Sequence, residues 1–240
     1  MHGDEAVWEV QVTKVEEDTI RYFAPKWIRN MISFADTKIP DVSELSLEGK
    51  KRIVILGTGL SALKYERRRE DFIVGNQTTL LVEERMLPDA CIVTDAGDPV
   101  LDKLLQVPMY KKRATKFILA DSVDERVVKN LAGRASMYGF HHSLSLGLTG
   151  DIIDAFKPER IQTVVTQVGS SMNAAFLLFS KMMLQRKERG EEMLPIYLAG
   201  VDYKNPPKGQ EEQYKIYEET LEWLIKNAEG FGISLYREKV

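Results

Sequence analysis

Several short clusters in this chain carry residue types able to bind or transfer phosphorylated groups. Gly57, Gly59 and Ser61 follow directly on the apolar run Ile53-Val54-Ile55-Leu56. Glycine has no Cβ, so backbone there can approach a ligand closely and present its N–H groups. Gly169, Ser170 and Ser171 precede a long apolar stretch, where a serine oxygen can hold the first N–H groups of a helix. The positive end of either following helix favours an anion such as phosphate. Asn76 ends a second apolar run and can both donate and accept hydrogen bonds.

Charged candidates stand at comparable positions. Asp95 and Asp98 flank a short turn, and two carboxylates there could hold Mg²⁺ while phosphates complete its shell. Asp98 has a second reading, as the cap of a helix beginning at Pro99. Asp202 and Lys204 leave a further strand, and a lysine neutralises a departing phosphate as a point charge. An ordinary exposed loop lysine explains Lys204 equally well. His141 and His142 could act as acid or base, although a surface histidine pair is the more frequent explanation.

Gly57, Gly59 and Ala62 satisfy the loose dinucleotide fingerprint G-x-G-x-x-A. That fingerprint needs an acidic residue about 20 positions on, for the ribose hydroxyls. The next strand ends instead in Gly75-Asn76-Gln77, which disfavours a nicotinamide cofactor. A tight turn with no ligand remains the plain alternative for 57–61.

The elements that must position these residues alternate regularly. Strands are expected at 51–56, 72–74, 90–94, 116–120, 136–140, 161–166, 196–199 and 233–236. Helices are expected at 78–86, 100–106, 121–131, 172–185 and 211–228. This pattern predicts an α/β fold, a Rossmann-like, doubly wound, mostly parallel sheet. Ligands of such sheets bind beyond the carboxyl ends of the strands, and all the clusters above fall at those ends. Residues 1–49 read as an N-terminal extension packing on a 50–240 nucleotide-binding domain. In the extension, 7–12 partly alternates and Pro25 starts a helix that turns Trp27, Met31 and Phe34 to one face. Residues 141–150 lack a helical period and suggest a loop, part of a lid near 139–150.

Composition narrows the partners. A chain of 240 residues can bury a substantial core. The net charge of −3 gives no electrostatic case for nucleic acid. No stretch is long enough to span a membrane and no signal-peptide apolar region is present, so a cytoplasmic location is the default expectation. The single cysteine, Cys91, excludes an intrachain disulfide and falls within a strand, as inert packing. With only His2, His141 and His142 available, a multi-histidine metal site is disfavoured. The expected partner is a small-molecule nucleotide donor, with the acceptor unidentified and homo-oligomerisation open.

Taken in order, the motifs resemble a superfamily of modified Rossmann-like domains. It joins the motility-associated factor (Maf) proteins, the small bacterial sialyltransferases and the archaeal 6-hydroxymethylpterin diphosphokinases. Gly57-Thr58-Gly59-Leu60-Ser61 resembles the family's Gly-x-Gly-Pro-Ser nucleotide loop, with leucine for proline. Val74-Gly75-Asn76-Gln77 resembles the sialyltransferase strand end whose Asn contacts the cytidine nucleotide. Residues 88–95 follow the Pro-Asp…Asp pattern of the Maf and pterin branches. Gly169-Ser170-Ser171-Met172-Asn173 is similar to the Maf Gly-Ser-Val-Ala-Asn helix start, and Leu198-Ala199-Gly200-Val201-Asp202 to the Gly-x-Asp strand exit. The helix around 221–224 and the strand at 234–236 resemble the sialyltransferase C-terminus.

That resemblance implies a glycosyltransferase using a nucleotide-activated, CMP-linked sugar. Gly57, Gly59, Ser61, Gly169, Ser170 and Ser171 would then cradle the donor, Asn76 would read it, and Lys204 would steady the leaving phosphate. One alternative is ATP-dependent diphosphate transfer with Asp95 and Asp98 on Mg²⁺. Another is a nucleotide-binding protein with weak catalysis. The chain departs from the sialyltransferases in two ways. It has no histidine after the Gly-x-Asp motif, and Lys204 replaces a phosphate-binding tyrosine. The base role therefore falls to Asp202 or to His141 and His142.

Overall fold

The computed structural model describes residues 14–82, 86–143, 151, 154–166, 168–204 and 206–238. The strands anticipated from apolar runs form one eight-stranded sheet. They are β1 (Arg52–Leu56), β2 (Asp71–Asn76), β3 (Ala90–Val93), β4 (Lys116–Ala120), β5 (Met137–Ser143), β6 (Val164–Thr166), β7 (Ile196–Ala199) and β8 (Leu235–Arg237). Their order is β6-β5-β4-β3-β2-β1-β7-β8, and every pair is parallel. The fold is thus α/β and Rossmann-like. Central strands are buried on both faces, which is why they read as continuous apolar runs rather than alternating ones.

The chain builds β1 to β6 outward in one direction, then returns to lay β7 on the opposite side of β1. That reversal is the topological switch point where such sheets bind ligands. The return is made by a long helix. Numbered along the chain, the helices are α1 (Lys14–Ala35), α2 (Gln77–Val82), α3 (Asp98–Gln106), α4 (Met109–Ala114), α5 (Glu125–Leu131), α6 (Ser171–Glu188) and α7 (Glu211–Gly230). In α6, Met172, Ala175, Phe176, Phe179 and Met183 all bury into the main core, with the Phe179 ring 5.9 Å from that of Phe72 on β2.

Four local expectations are corrected. Pro25 does not start α1; it lies well inside it, at an exposed position where the missing N–H is solvent-side. Residues after β1 form only a five-residue 3-10 turn, Leu60–Lys64, not an α-helix. The extra helix α4 starts after Pro108. His141 and His142 belong to β5 rather than to a loop, because His141 pairs with Val164 and His142 with Val165 on β6. The remainder of the suggested lid, 144–150, and the alternating stretch 7–12 lie outside the described residues.

Candidate active site

A cleft of about 980 Å³ opens at the carboxyl ends of the strands. It gathers residues from the exits of five strands: Gly57 and Gly59 after β1, Asn76 at the end of β2, Asp95 after β3, His142 in β5, and Asp202 and Lys204 after β7. The turn of Gly169, Ser170 and Ser171 at the start of α6 completes one wall. Most of the residues singled out from sequence therefore meet in one place. Three do not line it: Ser61, Asp98 and His141.

The glycine turn after β1 is closed against the exit of β7. Gly57 N–H donates to the Ala199 carbonyl at 2.8 Å, and Gly59 N–H to the Gly200 carbonyl at 2.9 Å. Ser61 N–H donates to Asp202 Oδ2 at 3.2 Å, while Ser61 Oγ accepts from Gly200 N–H at 2.8 Å. A Cβ on Gly57 would stand 2.1 Å from the Gly200 carbonyl oxygen, and one on Gly59 would stand 1.6 Å from Asp202 Oδ1. The glycines permit two backbones to touch. The expected presentation of these N–H groups to a phosphate is corrected accordingly, since those of Gly57, Gly59 and Ser61 have protein acceptors. Ser61 is buried structure rather than cleft wall.

At α6 the arrangement differs. Gly169 takes a left-handed φ of +82°, and a Cβ there would press on the Tyr217 ring at 2.8 Å. Ser170 is the N-cap, its Oγ accepting from Asn173 N–H at 3.1 Å. The Tyr203 hydroxyl hydrogen-bonds Ser170 Oγ and donates to Asn173 Oδ1 at 3.0 Å. Burial pushes the Tyr203 phenol well above its ordinary pKa, so it stays a neutral donor. Tyr203 is the one non-glycine with positive φ among the described residues, at +44°. Such a conformation costs on the order of 1–3 kcal/mol and persists where the surroundings over-determine it. Here the hydroxyl bonds and the Tyr214 and Tyr217 rings, with centroids 5.9 and 5.7 Å away, do so.

Asn76 is engaged within the fold. Its Oδ1 accepts from Thr79 N–H at 2.9 Å and Thr79 Oγ1 at 3.1 Å, and its Nδ2 donates to Ser171 Oγ at 3.3 Å. It starts α2 and ties β2 to α6. Asp95 is exposed on the cleft and accepts Gly97 N–H through Oδ1 at 2.7 Å. Asp98 does not cap α3. Gly97 is the N-cap, and the Asp98 carboxylate pairs with Arg126 and, at 3.7 Å, with Lys26. No group of three or more His, Cys, Asp or Glu side chains able to hold a metal occurs among the described residues.

The two histidines face opposite ways, as neighbours on a strand must. His141 is buried, with Nδ1 2.7 Å from Asp121 Oδ2 and Nε2 3.1 Å from Asp154 Oδ1. Burial disfavours its charge, yet the two carboxylates override that and raise its pKa above the ordinary histidine value. His142 lines the cleft, and burial lowers its pKa to about 4, leaving a neutral imidazole at pH 7. Asp121 also accepts the His142 backbone N–H at 3.3 Å.

From sequence, Trp27 shares a helix face with Met31 and Phe34 that packs on the main domain. Instead, Phe23, Trp27, Tyr203, Tyr214 and Tyr217 all line the cleft. Lys103, donating to Thr78 Oγ1 at 3.0 Å, also reaches it. A helical period marks a shared face, but not whether that face meets core or cavity. Cys91, as expected, is fully buried in β3, and burial pushes its thiol pKa up. No helix among the described residues is long and apolar enough to cross a membrane.

No family model matches this chain, and no curated protein matches it. A solved structure, that of the MAf glycosyltransferase from Magnetospirillum magneticum AMB-1, aligns with 82% of the chain at 14% identity and a TM-score of 0.47. The chain spans about a third of that protein's length, 32%.

Proposed function

We propose that this chain is a glycosyltransferase-like enzyme that holds a nucleotide-activated sugar donor in the cleft and passes the sugar to an acceptor hydroxyl. One observation carries the reading: a single cleft of about 980 Å³ at the switch point collects polar side chains from five strand exits. Ligand pockets typically occupy about 300–1,000 Å³, so this one has room for a donor and a second substrate. The donor phosphate belongs at the 169–171 turn, where the positive end of the 18-residue helix α6 meets the cleft. Lys204, exposed at the rim, adds a cation there. The CMP identity of the donor rests on the resemblance of the strand ends alone.

In the transfer, the acceptor oxygen bonds to the anomeric carbon as the bond from that carbon to the donor phosphate oxygen breaks. The departing phosphate takes the electron pair and is stabilised by Lys204 and the α6 terminus. The acceptor proton goes to His142 or Asp202. His142 is neutral at pH 7 and lines the cleft, so its ring can accept it; a base with a pKa near 4 is a weak one. Asp202 already accepts Ser61 N–H. Slow turnover with ready nucleotide binding is the expected behaviour. His141, buried against Asp121 and Asp154, is removed from the base role.

The decisive measurement is donor hydrolysis by the wild type, Asp202→Asn and His142→Ala, alongside nucleotide binding. Loss of about 10²-fold or more in one variant, with binding retained, identifies the base. Robust turnover unaffected by both changes would overturn the assignment, and binding without turnover of any nucleotide sugar would favour a binding protein.

A second reading, diphosphate transfer from ATP, is favoured by Asp95. An exposed carboxylate on the cleft fits Mg²⁺ held largely by substrate phosphates, whereas Asp98, paired with Arg126, does not. Bound there, the ion would neutralise phosphate charge. Chelation separates the readings: ATP binding that requires Mg²⁺ and fails in Asp95→Asn, with no response to cytidine nucleotides, would reverse the ranking.

A further inference from the structure

The N-terminal helix contributes to the cleft itself. Phe23 and Trp27 are one helical turn apart on α1, their rings stacked at 5.9 Å with an interplanar angle of 22°, and both line the cavity. Helix α1 is fastened over the exit of β4. Lys26 Nζ lies 3.3 Å from Asp124 Oδ2, and the buried Asn30 side chain donates to the Ser122 carbonyl at 2.8 Å. The aromatic pair is therefore held in place rather than left on a loose arm.

The cleft has a second aromatic wall, Tyr203 with Tyr214 and Tyr217, but that wall adjoins the α6 turn directly. Tyr203 bonds Ser170, and Gly169 packs on Tyr217. A phosphate at the turn brings its own ribose and base away from those rings, because the base of a nucleotide is separated from its phosphates by the sugar. The tyrosine rings also pack on one another, Tyr214 against Tyr217 at 5.8 Å.

We propose that the Phe23–Trp27 pair is the stacking platform for the nucleobase, which makes α1 part of the nucleotide site. This rests on the cleft being a nucleotide site, as argued above. Stacking on an aromatic plane tolerates any base, since every base has a π-face. Base identity is then read weakly, and Asn76, occupied by Thr79 and Ser171, is not the base reader.

The test is calorimetric titration of the full chain with CMP, AMP and inorganic pyrophosphate, for wild type, Trp27→Leu and Trp27→Phe. Base stacking on an aromatic residue corresponds to about 5- to 150-fold in affinity. Trp27→Leu is expected to weaken CMP and AMP by that factor and to leave pyrophosphate unchanged, with Trp27→Phe recovering most of the loss. Nucleotide affinity equal to wild type in Trp27→Leu overturns the platform while leaving the nucleotide reading intact. An equal loss for pyrophosphate also overturns it, by showing that Trp27 merely supports the fold. A wild type that binds pyrophosphate but neither nucleotide removes the nucleotide reading, and the platform with it.

Discussion

The turn after β1 and the turn before α6 have nearly the same composition, two small motifs of glycine and serine at strand exits. They do different work. In the first, three N–H groups in the segment 57–61 donate to the exit of β7, and the glycines let two backbones close on each other. In the second, Ser170 caps an 18-residue helix whose positive end opens on the cleft. A glycine-rich turn becomes an anion site only when its donors lack acceptors within the fold. The first turn locks the exit of β1 to that of β7; the second caps α6, and under the proposed reading it faces the donor phosphate.

The largest expected effect is on the first turn. Gly57→Ala forces a Cβ to 2.1 Å from a backbone oxygen that no side-chain rotation can move. Overpacking of this kind should cost about 3 kcal/mol or more, read as a lower urea midpoint. An unchanged midpoint would mean that the two turns are not locked together. Ser61→Ala should follow, at about 1–3 kcal/mol, because the buried Gly200 N–H loses its acceptor. Its affinity for nucleotide should equal wild type. Ser170→Ala should cost about 1 kcal/mol through the lost cap, and nucleotide affinity should fall as well. If the two serine variants swapped these signatures, the roles of the turns would be reversed.

The smallest effect concerns the cleft histidine. His142 has a folded pKa near 4, below its unfolded value of 6.5, so its contribution is full above pH 6.5 and is lost as pH falls toward 4. His141 is shifted upward, so its contribution is complete below pH 6.5 and disappears only as pH rises through its folded pKa. Asp41 and Asp71, where hydrogen bonds to the charged form outweigh burial, weaken folding only as pH falls below 3.8. Glu125, Glu191 and Glu211, whose pKa values hydrogen bonds lower from 4.5, begin to contribute at the acid end of the range, so His142 is isolated by comparison with a variant that lacks it. Since its ring is partly exposed on the cleft, solvent screens the effect to under about 1 kcal/mol. The wild type should lose that much more than His142→Gln on acidification across the window; parallel stability curves would show that His142 is freely solvated and not part of a buried cleft wall.

The alternation of apolar runs and helical stretches was enough to determine the α/β class, the parallel sheet and the end of the sheet where the cleft opens. Short continuous apolar runs such as 53–56 and 117–120 read as strands buried on both faces, and both were legible without coordinates. Periodicity is a local property, however, and the fate of a donor or a ring is not. Whether Gly59 N–H meets a ligand or Gly200 depends on a residue 141 positions away. Asp98 meets Arg126, Asn76 meets Thr79 and Ser171, and His141 meets carboxylates from outside its own strand. Trp27 reads as a core residue from its helical face and lies on the cleft because α1 is fastened over the exit of β4. Short-range sterics and burial pattern write secondary structure into the sequence, whereas hydrogen-bond partners and the filling of a cavity are decided only when distant segments are brought to within a few ångströms.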